Sequence, residues 1–104
     1  MLYGPNTNLG HNSIIVMIES QVGYLVEAMK ELKRRGAKAM AVKDAAFKKF
    51  NVELQDDLTK TAWAGSCSSW YKTASGKITN NWGGDTATYI RLMKQPVLAD
   101  YEVA

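Results

Sequence analysis

Little in this chain could staple it, hold a metal or anchor it in a bilayer. It has one cysteine, Cys67, so no internal disulfide can form, and a reducing, cytoplasmic setting is the expectation. It has one histidine, His11, with no cysteine near it, so no metal-ligand spacing exists. No run reaches the roughly 18 apolar residues of a membrane span. No basic segment precedes an apolar one at the N-terminus, as a secretion signal requires. Internal repeats and low-complexity tracts are also missing. Neither sign of charge dominates: 13 Lys and Arg face 10 Asp and Glu, for a formal charge of +3. The densest basic group, Lys30, Lys33, Arg34, Arg35 and Lys38, is interrupted by Glu27 and Glu31. That pattern suits a solvated helix face with (i, i+3) and (i, i+4) pairs, and no nucleic-acid partner is expected.

What is present reads as one domain over residues 1–104. The chain is 46% hydrophobic and 22% charged, ordinary values for a globular protein with one small core. The pattern predicts an α+β arrangement: a long N-terminal helix, a short strand, a second helix, a small β-hairpin or loop region, and a short C-terminal helix. The first helix is expected from about Ser13 to about Arg35, capped by Asn12 or Ser13 and stopped by Gly36. Its first half is apolar almost all round and should be buried on most sides. Gly23 interrupts its second half at a cost of roughly 1 kcal/mol against alanine. A strand is expected at residues 39–42. Asp44 then caps a second helix reaching about Thr61, with Phe47, Phe50, Leu54 and Leu58 as one core stripe. Residues 70–72 and 77–79 read as two short strands joined through Ala74, Ser75 and Gly76. Asp85 or Thr86 caps a last helix to about Lys94, and the tail after Pro96 reads as irregular.

The richest stretch is residues 2–13, Leu-Tyr-Gly-Pro-Asn-Thr-Asn-Leu-Gly-His-Asn-Ser, which runs straight into Ile14-Ile15-Val16-Met17-Ile18-Glu19-Ser20-Gln21. A short extended run, a Gly-, Pro- and Asn-rich loop and a capped helix make a ligand-facing turn. Glycines permit close backbone approach. The first helical N–H groups lack intrahelical partners and, with the macrodipole, favour an electron-rich group in front of them. On these residues alone, a plain turn with a plain helix cap carries more weight than a ligand contact.

The order G-P-N-x-x-x-G-H-N-S, five apolar residues, then E-x-Q resembles the C-terminal part of FAD-dependent monooxygenases of the Baeyer–Villiger and flavin-containing type. Cys67-Ser68-Ser69-Trp70-Tyr71-Lys72, Gly76-Lys77-Ile78-Thr79-Asn80-Asn81-Trp82 and Thr86-Ala87-Thr88-Tyr89 resemble later blocks of the same enzymes. The resemblance runs from about Leu2 to about Leu92. It implies that the turn lies against the flavin, with Asn6, Gly10, His11, Asn12 and Ser13 as cofactor-binding residues. The helix N-terminus would then stabilise negative charge near N1 and the C2 carbonyl of the reduced isoalloxazine. It further implies that Trp70 sits on a closing loop that covers nicotinamide and substrate. Gly83-Gly84 departs from the Pro-Gly of many relatives, which should loosen that turn.

No residue reads as catalytic. His11 has no carboxylate, Ser or Cys partner close in sequence, and nothing around Cys67 suggests an activated thiolate. Trp63, Trp70 and Trp82, with Tyr71 and Tyr89, read either as a small aromatic core or, through Trp70, as the closing loop. The two Gly-rich G-x-G-x-x-G turns that FAD and NADPH require are missing. The resemblance therefore implies a piece of a larger two-dinucleotide-domain α/β enzyme, with FAD and NADP held by the parent and none by this chain alone. Its partners would be the missing N-terminal flavin and NADP domains, and its parent would oxygenate a ketone or a soft heteroatom. The other open reading is a stand-alone structural or interaction module that dimerises through its apolar first helix.

Overall fold

The computed structural model describes residues 1–8, 13–61, 65 and 70–104. Helix α1 spans Ile14–Arg35, strand β1 Met40–Val42, helix α2 Asp44–Thr59, helix α3 Thr86–Leu92 and strand β2 Tyr101–Val103, the last preceded by a 3-10 turn over Leu98–Asp100. The result is an α+β arrangement.

Helix α1 ends where the sequence says it should. Gly36 takes the left-handed conformation at φ 64°, and its N–H and that of Ala37 reach back to the carbonyls of Lys33 and Leu32. Lys33, Arg34 and Arg35 occupy the last turn, where positive charge suits the dipole. Arg34 and Arg35 also pair with Glu31, whose carboxyl is held below its ordinary range chiefly by the hydrogen bond from Arg34. Helix α2 begins one residue earlier in register than Asp44 suggests. Lys43 is the cap residue, its side chain bonds no first-turn N–H, and Asp44 lies inside the first turn.

One core holds the chain together. Met17 from α1, Leu54 and Leu58 from α2, Tyr89 from α3, and Ile78 and Trp82 from the segment before α3 form one buried cluster. Two of the four residues expected along α2 belong to it. Phe47 and Phe50 do not: they are 55% and 50% exposed, because they line an open cleft rather than the packed cluster. The first half of α1 is likewise covered on one side only. Met17 is buried, while Ile14 and Ile15 are half or more exposed. Gly23 has open space around it, and nothing in the structure explains it.

The expected hairpin is reduced to a single antiparallel bridge, Lys72 with Ile78. Thr73 and Gly76 close the turn, with Gly76 at φ 85°. The tail is not irregular. Tyr101–Val103 pairs antiparallel with β1 in the register Met40–Val103, Ala41–Glu102, Val42–Tyr101. Lys38 and Ala39 both donate backbone N–H to the Ala104 carbonyl, and Lys43 Nζ reaches the Ala99 carbonyl at 2.9 Å. Sequence patterning missed β2 because a three-residue strand carries too little alternation to register. No helix among the described residues is long and apolar enough to cross a membrane.

Candidate functional site

The N-terminal turn is fastened to a segment some seventy residues further on. Asn6 and Asn8 run alongside residues 78–82: Asn6 N donates to Thr79 O, Asn8 N to Asn80 O, and Trp82 N to Asn8 O, at 2.8 to 3.0 Å. Asn8 and Asn81 form a parallel bridge. Asn6 adopts φ 56°, which asparagine tolerates better than most residues. That conformation lets one Nδ2 donate to two carbonyls, Ile78 O at 2.9 Å and Asn81 O at 3.0 Å. Asn8 Nδ2 donates to Asn81 Oδ1 at 3.1 Å. Thr7 is buried, its hydroxyl bonded to Gly4 O. Gln55 of α2 closes the set, giving Nε2 to Ile78 O and taking Ile78 N–H on Oε1. This asparagine clamp fixes where the chain enters the loop leading to α1.

Ser13 stands at the head of α1 with β-region backbone and an exposed side chain. It caps the helix by position only. Its hydroxyl makes no cap hydrogen bond, and no acidic residue occupies the first turn. The helix therefore presents first-turn N–H donors that its own side chains do not satisfy. A second donor is buried in the clamp. Asn81 is completely buried, and its Nδ2 has no hydrogen-bond partner among the described residues. Gly10, His11 and Asn12 lie outside the described residues, as do Trp63 and Cys67. Asn6 is described, and its amide nitrogen is committed to the clamp.

Trp70 and Trp82 have opposite surroundings. Trp82 is 8% exposed, edge-on to Tyr89 with ring centroids 5.5 Å apart, and its indole N–H donates to Asp85 O at 3.1 Å. Gly83 and Gly84 do not loosen this turn; they let it close. A Cβ on Gly84 would sit 3.1 Å from the indole nitrogen, and one on Gly83 would sit 3.3 Å from Asp57 Cβ. Trp70 is 78% exposed and touches Tyr71 edge-on at 6.0 Å. Of the aromatic cluster expected from sequence, Trp82 and Tyr89 are core, Tyr71 packs at its margin, and Trp70 stands clear.

A cleft of about 750 Å³ opens between α1, α2, α3 and the tail. Phe47, Phe50, Leu92 and Val97 line it with Tyr24 and Tyr101, whose hydroxyls hydrogen-bond each other. Burial, then that hydrogen bond, pushes the Tyr24 hydroxyl well above its ordinary range, and burial also raises Tyr89. Tyr89 accepts from Gln21 Nε2 at 2.6 Å, which ties α3 to α1. Neither Ser13 nor Trp70 lines this cleft. Sequence reasoning missed the clamp and the cleft alike, since isolated polar residues in loops carry no periodic signal.

Several curated proteins match nearly the whole chain. The Baeyer–Villiger monooxygenase of Streptomyces coelicolor is 41% identical over 102 residues, covering 96% of this chain and 20% of that protein. The FAD-binding monooxygenase ktnD of Aspergillus niger is 41% identical over 97% of this chain and 17% of its own length. The Baeyer–Villiger monooxygenase of Pseudomonas aeruginosa is 42% identical over 90% and 18%. The chain belongs to the Baeyer–Villiger and FAD-binding monooxygenases. It is a C-terminal portion of that family, spanning about a fifth of the length of the relatives it matches. No family model matches the chain. No solved structure matches it. The Aspergillus niger relative is named FAD-binding, and FAD is the cofactor of the parent family.

Proposed function

We propose that this chain forms the C-terminal part of an FAD- and NADPH-dependent monooxygenase that inserts oxygen into a ketone or oxygenates a soft heteroatom. The carrying observation is the 41% identity over 96% of the chain to a Baeyer–Villiger monooxygenase. The head of α1, where Ser13 makes no side-chain cap bond and no acidic residue occupies the first turn, supports it. The residues that would face FAD are Asn6, Gly10, His11, Asn12 and Ser13, and the backbone N–H groups of Asn12 and Ser13 would donate to the flavin. When bound, the flavin supplies the electrons that activate O₂. The chain's own contribution is fixed dipoles. Helix N–H groups stabilise negative charge without reorganising, which is worth most where water is excluded. Trp70, whose ring is largely bare, would close over the nicotinamide of NADP and keep water out.

This chain alone should bind FAD weakly, because the Gly-rich turns that cradle the pyrophosphate are missing from it. Titrating FAD into the purified chain and following flavin fluorescence tests this; submicromolar, stoichiometric binding would overturn it. The oxygenation reading is tested in a graft. The matching fifth of the Streptomyces coelicolor monooxygenase is replaced by this chain, and NADPH-driven ketone and sulfide oxygenation are assayed. Trp70→Ala in that graft should weaken NADP⁺ retention and raise hydrogen peroxide release several-fold, the scale of one lost aromatic contact. A folded, FAD-loaded graft that oxygenates neither substrate class sinks the proposal.

A further inference from the structure

Helix α1 has two apolar faces, and this chain uses one. Met17 and Ala28 are buried, and Gln21 reaches Tyr89 on the same side. At about 100° per residue, an adjoining arc that begins beside Ala28 and ends opposite Met17 collects Ile14, Ile15, Val22, Leu25, Val26 and Met29. Their exposures are 50, 67, 44, 51, 42 and 64%. From Ile14 to Met29 that arc carries no charged residue; Glu19, Glu27 and Lys30 fall outside it. An arc free of charge from Ile14 to Met29, about 24 Å of helix by its rise, is too large an apolar patch for bare solvent.

The width of the arc says what kind of surface covers it. Two helices in a coiled coil bury a narrow a/d seam. Ile15, Val22 and Met29 with Leu25 would supply such a seam, but Ile14 and Val26 flank it on both sides and widen the face to about 120°. A face that broad is built to lie on a layer of packed structure. The relatives contain the mass to provide one: the match covers 20% of the Streptomyces coelicolor protein, so four-fifths of that protein lies outside it. The salt bridges of α1 also leave the arc free, since Lys30–Glu27 and Arg34–Glu31 lie off it.

We infer that the outward face of α1, running from Leu25 through Met29 to Val26, is the surface on which the remaining part of a monooxygenase chain packs, through a flat apolar layer with no charged side chain opposite Val22 to Met29. This rests on the C-terminal-portion reading. It adds which face is the joint and that its partner is apolar and broad. The cleft lined by Phe47 and Phe50 is not that joint.

The same substitution tests it in two settings. Leu25→Lys in the free chain should leave the melting temperature nearly unchanged and the sedimentation coefficient that of a monomer. In the full-length graft it should lower the melting temperature by about 5–10 °C, because it buries an unpaired ammonium. Lys48→Ala, at a side chain 76% exposed off the arc, should do nothing in either. In case the lysine variant fails to fold, Leu25→Cys in a Cys67→Ser background reports protection directly. Its alkylation, read by peptide mass, should be fast in the free chain and slowed at least about tenfold in the graft. Equal alkylation in both would overturn the inference. So would a free chain that sediments as a dimer and becomes monomeric on Leu25→Lys, because a second copy would then own the face. A graft that never assembles also counts against it. A graft with a protected position 25 and no oxygenation would sink the proposed function and leave this joint standing.

Discussion

The two sides of α1 carry the same kinds of residue and live in different worlds. On the inner side Met17 is buried against Leu54, Leu58 and Trp82. On the outer side Ile15 and Met29 are 67% and 64% exposed. Hydrophobicity therefore does not decide which face this chain buries. Beside the packed inner side lies the polar clamp, which holds residues 6–8 against residues 78–82. The inner side is organised by hydrogen bonds and finished by apolar packing. The outer side has packing capacity with nothing in this chain to organise it.

Trp82→Ala should break the inner side most severely. It removes a ring that Tyr89 meets edge-on and an N–H that donates to Asp85 O. Large-to-small changes at such a site cost roughly 3–5 kcal/mol. Chemical denaturation followed by far-UV circular dichroism measures it, and a cost under about 1 kcal/mol, the ordinary range of a mild substitution, would show that the cluster is not the organising core.

Asn6→Ala should come next. It strips the donor from Asn81 O, a carbonyl beside a fully buried side chain, and asks alanine to hold φ 56°. A buried acceptor left unpaired costs roughly 1–3 kcal/mol. Asn6→Gly separates the two contributions, because glycine keeps the backbone conformation while losing the amide. If Asn6→Gly matches wild type, the clamp is a matter of backbone shape and the side-chain bonds are dispensable.

Asp85 tests the comparison at its edge. Its carboxylate accepts from Thr88 N at 2.7 Å and caps α3, and that bond, with Arg91 helping, holds the carboxyl below its ordinary 3.8. A lowered folded value means the cap contributes fully above pH about 4 and fades as pH falls through the folded value. Asp85→Asn should therefore flatten the acid limb of the stability profile and lower the melting temperature at pH 7 by only a few degrees. An acid limb identical to wild type would show that the cap is not titrating.

The uneven legibility of the sequence follows the same division. The bounds of α1 and the capping of α3 were readable because periodicity, Gly36 and Asp85 are local signals. So was the burial of Leu54 and Leu58. Exposure of Phe47 and Phe50 was not, since an apolar stripe gives the face a helix offers and says nothing of how far its cover extends. Strand β2 and the asparagine clamp depend on partners some sixty and seventy residues away, and three polar residues in a loop leave no periodic trace. Within the candidate site, Ser13 and Trp70 were nameable only through blocks shared with monooxygenases. Their exposure is a finding of the structure.

The smallest expected effect is the sharpest. Trp70 is 78% exposed, and among the described residues its ring meets Tyr71 edge-on, itself only at the margin of the core. A residue so placed stabilises the fold little, so Trp70→Ala in this chain should change unfolding free energy by less than about 0.5 kcal/mol, the usual surface range. Trp82→Ala removes the same side chain, so the pair of variants compares two environments with the residue type held fixed. The closing-loop role proposed for Trp70 asks for an exposed ring of this kind and adds no cost to the fold. If Trp70→Ala instead unfolds the chain as readily as Trp82→Ala, Trp70 is part of the fold. Its effect on NADP⁺ retention in a grafted enzyme would then follow from lost structure, and the closing-loop role would have nothing left to explain.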